Sequence, residues 1–315
     1  FRRNTFKLSG TANLTTKFKI SGSANYIISS GKRIQQGSNT SGVMLGLLRT
    51  PSTFDNSAGY MFSPSYRLPD GSAPETPQRG YRHGLYYDNP YWTANMNSYK
   101  DKVNRLIGSF QMDYLPYSWL SFTYRLGVDW WGLTYTDDLA MYSGGQPGGW
   151  ARRGSSTSKD FNSDLLMTID KNITKDLNLK FVLGQNMTQM YMISQYPWAN
   201  DLFIPEYYNL NNTTSPQVTE ETSKIRRAGF YGDLQLAWKN MVYLSVTGRN
   251  DWSTTLPKNK NSFFYPSVGA GFIFTQLPGL KDNKVLPYGK IRASYAIVAK
   301  DAPAYYTNTY WGNPV

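Results

Sequence analysis

The sequence predicts an all-β chain, a stretch of a transmembrane antiparallel β-barrel. Three observations carry the prediction. Long segments alternate strictly between apolar and polar residues. The connections between them alternate short and long. Aromatic residues make up 16% of the chain while charged residues are only 17%, and mean hydropathy is nonetheless −0.51. No run approaches the ~20 consecutive apolar residues of a membrane helix. A barrel resolves that contradiction because only every second strand residue meets lipid. By composition alone, a soluble β-sandwich or propeller is an equal alternative.

The clearest element runs from Trp119 to Trp131. Leu120, Phe122, Tyr124, Leu126, Val128 and Trp130 point one way, and Ser121, Thr123, Arg125, Gly127 and Asp129 the other. Period two is the signature of a strand. A helix would mix Arg125 and Asp129 into the stripe containing Phe122. The same alternation recurs at Phe6–Leu14, Phe18–Ile28, Arg105–Tyr114 and Phe230–Trp238. About ten strands are expected, near 4–14, 17–29, 104–115, 119–131, 159–171, 177–191, 224–239, 241–251, 263–275 and 288–298. Each reaches the ~9–11 residues that a tilted membrane strand requires, whereas globular strands average ~5–6.

Thr15-Thr16, Leu115–Ser118, Lys171–Asp176 and Lys239-Asn240 read as tight turns. Between these hairpins lie polar segments read as long external loops near 31–101, 132–158 and 193–223, with a shorter one near 253–262. Brief periplasmic turns opposite extended external loops are the outer-membrane pattern, and a sandwich rarely carries such excursions. Tyr117, Trp119 and Trp238 fall beside tight turns, where an interfacial girdle sits. Phe1 is not an initiator methionine, and Asn313-Pro314-Val315 closes no strand, so residues 1–315 read as a piece of a longer barrel protein.

Covalent chemistry finds little support. Cysteine is absent, which removes thiol catalysis, disulfides and cysteine metal sites. The single histidine, His83, lies in the longest loop with no G-x-S-x-G elbow to support it as a base, and multi-histidine metal sites are excluded by count. Asp137-Asp138 and Glu220-Glu221 read as solvated loop carboxylates without calcium-loop spacing. The Asn-x-Thr triplets at Asn172 and Asn212 reflect composition. No catalytic residue, metal or cofactor is expected. The net charge of +12 is scattered, with no run longer than Arg2-Arg3, Arg152-Arg153 and Arg226-Arg227 and no nucleic-acid motif.

The binding candidates are aromatic. Tyr86, Tyr87, Tyr91 and Trp92 cluster beside Asp88 and Asn89, and Trp150, Trp198, Tyr207 and Tyr208 occupy other expected loops. Flat rings stack on sugar or peptide groups and Asn or Asp supplies hydrogen bonds. The competing reading is that these rings pack the loops together. Arg105, Asp113, Arg125 and Asp129 are expected to face the lumen, paired with one another or with a plug.

Several segments resemble the SusC/RagA family of TonB-dependent outer-membrane transporters. They are Arg249-Asn250-Asp251-Trp252-Ser253-Thr254-Thr255-Leu256-Pro257, Phe263-Phe264-Tyr265-Pro266-Ser267-Val268, Ile291-Arg292-Ala293-Ser294-Tyr295-Ala296 with Asp301-Ala302-Pro303, Asp88-Asn89-Pro90-Tyr91-Trp92, and Asp101 through Gly108. The likeness is collinear over nearly the whole chain. Ala299-Lys300 departs from it, where a Gly-containing turn is expected. The resemblance implies a barrel of about 22 strands, with a plug domain and TonB-contacting segment outside this chain. It further implies a SusD-like surface lipoprotein as lid, an oligosaccharide or peptide substrate, and lipid and lipopolysaccharide as surroundings. The function it implies is TonB-dependent nutrient import across the outer membrane of a Gram-negative cell. The rivals are a complete ten-stranded barrel enzyme and a soluble β-rich glycan-binding module.

Overall fold

The computed structural model describes residues 1–35, 39–57, 78, 80–82, 86–281 and 284–307. Ten strands form one antiparallel sheet in strict chain order: β1 (Arg2–Asn13), β2 (Phe18–Arg33), β3 (Ser98–Tyr117), β4 (Leu120–Leu139), β5 (Trp150–Asn172), β6 (Leu177–Asn200), β7 (Gln217–Trp238), β8 (Val242–Ser253), β9 (Ser262–Phe272) and β10 (Ile291–Ala296). Each strand pairs with its chain neighbour, and β1 and β10 each have one partner, so the ten-stranded sheet is open. The rival of a barrel closed by these ten strands is therefore corrected. Two short helices, α1 (Val43–Arg49) and α2 (Pro90–Met96), lie in the β2–β3 connection. Among the described residues no helix is long and apolar enough to cross a membrane.

The register fixes two chemically different faces. On one, Lys19 opposes Asp113, Gln111 opposes Arg125, and Arg125 opposes Asp164. Asp164 opposes Asn186, and further along Asp233 opposes Thr247. On the other, Phe110 opposes Leu126, Leu183 opposes Gly232, and Leu234 opposes Val246. Large apolar side chains stay exposed on this second face: Phe6, Leu8, Leu106, Phe110, Phe161, Leu165, Leu183, Met187, Phe230, Leu244, Val246 and Val268. On the polar face the exposed large apolar residues of the ladders are Ile107, Met190 and Phe263. A soluble protein rarely exposes contiguous apolar surface beyond a few hundred Å², whereas lipid requires it. The small buried cluster of Ala151, Ala199 and Leu202 lies at a strand end and not in a central core.

The tight turns fall at the expected hairpins, though Leu115–Tyr117 and Lys171-Asn172, expected as turn, are strand. At the β7–β8 turn Lys239 and Asn240 both take positive φ, as a primed hairpin turn demands. The long connections are corrected. Residues 132–139, 150–158, 193–200 and 217–223, expected as loop, are strand. The β4–β5 connection is 140–149 and the β6–β7 connection 201–216. Above the apolar zone both faces turn polar, as with Ser155, Ser156, Thr157 and Ser158 on β5. The apolar-polar alternation vanishes there, but the backbone ladder continues because every N–H and C=O still needs a partner.

Candidate functional site

At the end of the sheet away from the tight turns, the polar face carries an aromatic-arginine strip across four strands. Tyr99 of β3 and Tyr135 of β4 stack at 5.7 Å between centroids and 13° between planes. Gly154 of β5 makes room for this pair: a Cβ there would lie 2.0 Å from Cε1 of the Tyr135 ring. Next to it, Arg152 lies with its guanidinium carbon 3.8 Å from the Trp150 ring centroid. Arg152 is 3.7 Å from the Asp137 carboxylate and opposes Trp198 of β6 in register. Alternation along β5 puts Trp150, Arg152 and Gly154 on one side. The strip therefore offers flat half-buried rings, one guanidinium and one carboxylate.

Trp150 and Trp198, expected in separate loops, thus come onto neighbouring strands on one face. Tyr99, Tyr135 and Arg152 were missed as site residues, and the signal available was their i, i+2 spacing within polar strand ends. The doublets Asp137-Asp138 and Arg152-Arg153 are not loop pairs. Successive strand residues point oppositely, so Asp137 meets Arg152 on the polar face while Asp138 takes a 2.6 Å bond from Arg153 on the other. Glu220 and Glu221 likewise lie in β7, and Gln195 Nε2 donates to Glu220 Oε2 at 2.7 Å.

The first loop cluster is corrected in part. Asp88, Asn89 and Trp92 are 2–3% exposed, which seals them from any arriving substrate. Asp88 Oδ1 accepts from Gln78 Nε2 at 2.7 Å and from the Gly144 N–H. Asn89 caps α2 by accepting from the Tyr91 N–H. Trp92 Nε1 donates to Ser143 Oγ at 3.0 Å, and Asn97 Oδ1 accepts from the Ala140 N–H. These side chains knit the β2–β3 connection to residues 140–149. Burial pushes the Asp88 carboxyl up, partly offset by the Gly144 and Gln78 donors. Tyr86 and Tyr91 are exposed; Tyr86 lies under Arg82, and Tyr87 stacks on Tyr81 and lies 4.4 Å from the Arg49 guanidinium. His83 lies outside the described residues.

The β6–β7 connection turns the other way. Tyr208 packs against the cluster of Ala151, Ala199 and Leu202, residues one step out of phase with Trp150 and Trp198. Burial pushes its hydroxyl up to about 12, and its carbonyl accepts from Arg153. Tyr207 is exposed. Asn212 holds this loop together: its Oδ1 accepts from the Phe203 and Ile204 N–H groups, and its Nδ2 donates to the Ile204 and Tyr207 carbonyls.

Lower on the polar face, Arg105 and Asp129 form a two-point ion pair. Arg125 Nε donates to Gln111 Oε1 at 3.2 Å, while Gln111 Nε2 and Thr123 Oγ1 donate to Asp113. The four charges thus share one face in two groups, Arg105 with Asp129, and Arg125 with Asp113 through Gln111. Two of the resembling segments also meet. Asp301 Oδ2 accepts from Arg227 Nε and Ser253 Oγ, both at 2.8 Å, and from Thr255 Oγ1 at 2.9 Å. The Arg227 bond foremost, with the two hydroxyls, holds the Asp301 carboxyl down at about 2.

No family model matches the chain. The chain is 23% identical over 225 residues to the TonB-dependent receptor P26 of Formosa agariphila, a match covering 67% of this chain and 22% of that protein. It is similar in fold to the RagAB peptide transporter, with a TM-score of 0.69 at 13% identity, covering 93% of this chain and 32% of that one. The closed-closed and open-open states of the RagAB peptide importer give 0.67 each, at 14% and 13% identity, again covering 93% and 32%. The chain therefore spans about a fifth of the curated relative and about a third of the solved chains. Nine strands of lipid length and a six-residue tenth, with one apolar and one polar face and folded as in these proteins, define the wall of an outer-membrane β-barrel. More particularly, the chain resembles a TonB-dependent receptor in sequence and the barrel of the RagAB peptide transporter in fold, and it is located in the outer membrane. The proteins it resembles are named as a receptor and transporters.

Proposed function

We propose that these strands form part of the wall and substrate cavity of a TonB-dependent importer that takes up peptide or oligosaccharide fragments with a SusD-like lipoprotein as lid. The polar face lines the lumen, and the tight turns face the periplasm. The observation that carries the reading is the strip of Tyr99, Tyr135, Trp150, Arg152 and Trp198 on the polar face, beyond the apolar zone. Rings at that position stack on sugar faces or peptide side chains, and Arg152 with Asp137 hydrogen-bonds to hydroxyls, amides or a terminal carboxylate. The sequence relative is named a TonB-dependent receptor and the fold neighbours peptide transporters, which supports import and favours peptides.

The test is uptake of labelled peptides and oligosaccharides by cells carrying the full-length protein. Trp150→Ala with Arg152→Ala is expected to lower uptake at unchanged surface level, and a protonophore to abolish it. Uptake indifferent to loss of the full-length protein refutes the reading.

A further inference from the structure

On the polar face Arg33, Arg105, Arg152, Arg227 and Arg249 are each ion-paired to an aspartate. On the apolar face of β1, β2 and β3, just past the last large apolar side chain, stand cations without an ion pair among the described residues. Past Phe6 comes Arg2, past Ile28 comes Lys32, and past Leu106 come Lys102 and Lys100. The register draws these four together: Lys32 directly opposes Lys100, and Arg2 and Lys102 both oppose Ser30. All four are exposed, and none has an ion pair among the described residues. Asp101, beside them in sequence, points to the other face and is held by Arg33. Asp138, the carboxylate nearest on their own face, is engaged by Arg153 at 2.6 Å. Their remaining same-face neighbours, Thr134 and Thr136, carry no charge.

Opposed like charges destabilise a sheet unless something between them is negative. The pattern repeats on β5–β7, where Tyr191 stands in register between Lys159 and Lys224.

We propose that this belt binds the phosphate groups of an outer-leaflet phosphorylated glycolipid, with Arg2, Lys32, Lys100 and Lys102 as its principal site. A phosphomonoester brings about −1.5 to −2 charges and three acceptor oxygens, which suits converging ammonium and guanidinium groups. The height fits a headgroup: the belt begins where the acyl-facing surface ends. The choice of glycolipid over phospholipid rests on the proposed orientation, since the belt lies at the end opposite the tight turns.

The test uses the full-length protein purified in mild detergent, with native mass spectrometry to read bound lipid. A variant carrying Arg2→Gln, Lys32→Gln, Lys100→Gln and Lys102→Gln is compared with a tight-turn control, Lys17→Gln with Lys171→Gln. Bisphosphorylated lipid A is the probe, with its dephosphorylated form, phosphatidylglycerol and inorganic phosphate as competitors. The belt variant is expected to lose at least about tenfold in lipid A retention, the control to keep it, and a Lys→Arg variant at the three lysines to keep it too. Dephosphorylated lipid A and phosphatidylglycerol are expected to compete poorly. Equal retention by belt variant and wild type overturns the proposal, as does equal competition by either lipid. Greater loss in the turn control also overturns it. Because lipid retention is read without substrate, a failed import assay leaves this result standing on its own. Heat-modified gel mobility verifies that each variant is folded, and Lys159→Gln with Lys224→Gln supplies a second site should the fourfold variant fail to fold.

Discussion

Leu165 and Leu166 are adjacent leucines that meet different solvents if the two faces have been assigned correctly. On β5 the apolar-face positions run Phe161, Ser163, Leu165, Met167, Ile169, followed by the turn at 173–176. The interval from Phe161 to Ile169 covers roughly 27 Å of strand at ~3.4 Å per residue. A tilt of about 40° leaves ~20 Å along the membrane normal, close to the ~25 Å apolar band of outer-membrane barrels. Leu165 is at its midpoint and 46% exposed toward that side. An arginine there costs about 2–4 kcal/mol, which lowers the folded-to-unfolded ratio by a factor of roughly 30 to 1,000. Leu166 opposes Thr123 and Gly184 on the polar face, where an added guanidinium stays in water beside Asp164. Urea unfolding of the full-length protein in lipid vesicles, read by tryptophan fluorescence, should show a lowered midpoint for Leu165→Arg and a shift under ~1 kcal/mol for Leu166→Arg. Equal costs, or the larger cost at Leu166, would refute the face assignment.

Three further outcomes are expected. Asn212→Ala removes four hydrogen bonds from a residue only 3% exposed, so residues 201–216 should lose about 2–4 kcal/mol of local protection, measured by hydrogen exchange. Asp88→Asn keeps an acceptor for Gln78 and Gly144 and removes a buried charge whose carboxyl is already pushed up, so it should hold the loop at neutral pH. Asp88→Ala should instead loosen 86–97 and 140–149 together under limited proteolysis. The Asp301 carboxyl sits at about 2, below an unfolded aspartate near ~3.9. Its contribution is therefore fully present above about pH 4 and lost as pH falls toward 2. The drop in thermal midpoint caused by Arg227→Gln should be full at pH 6 and shrink below pH 4.

What the sequence displayed was the part of the wall where two solvents impose a contrast. Phe122, Leu126 and Val128 against Thr123, Arg125 and Asp129 gave strand, face and turn positions together, because lipid selects one side of each strand and water the other. Beyond the band that selection stops. Ser155 is partly exposed and Ser156 is buried against Ser194, 2.9 Å between their hydroxyls, yet both are small and polar, so period two leaves no trace, and nine residues of β5 read as loop. The candidate site suffered from the same blindness. Trp150 and Trp198 were visible as aromatics in polar surroundings, but their shared face with Arg152 and Tyr135 depends on the register of β4 through β6. The burial of Asp88, Asn89 and Trp92 depends on a contact with Ser143 and Gly144, some fifty residues away, which no local spacing announces.

The charge distribution ties the wall to its two environments more closely than the net value of +12 suggests. Asp137-Asp138 meets Arg152-Arg153 so that one ion pair forms on each face. The doublets thus act as a two-sided fastening between β4 and β5 above the membrane. A pair of like charges in sequence is, in a strand, two separate single charges serving different sides, which is why neither doublet builds a metal or catalytic site. On the polar face Arg33, Arg105, Arg152, Arg227 and Arg249 find aspartates within the wall. On the apolar face Lys32, Lys100 and Lys102 find none among the described residues, and a sheet that opposes two lysines carries a cost that a bound anion offsets. Part of the excess positive charge is thus placed along the margin of the hydrocarbon zone, where headgroup phosphates lie within reach.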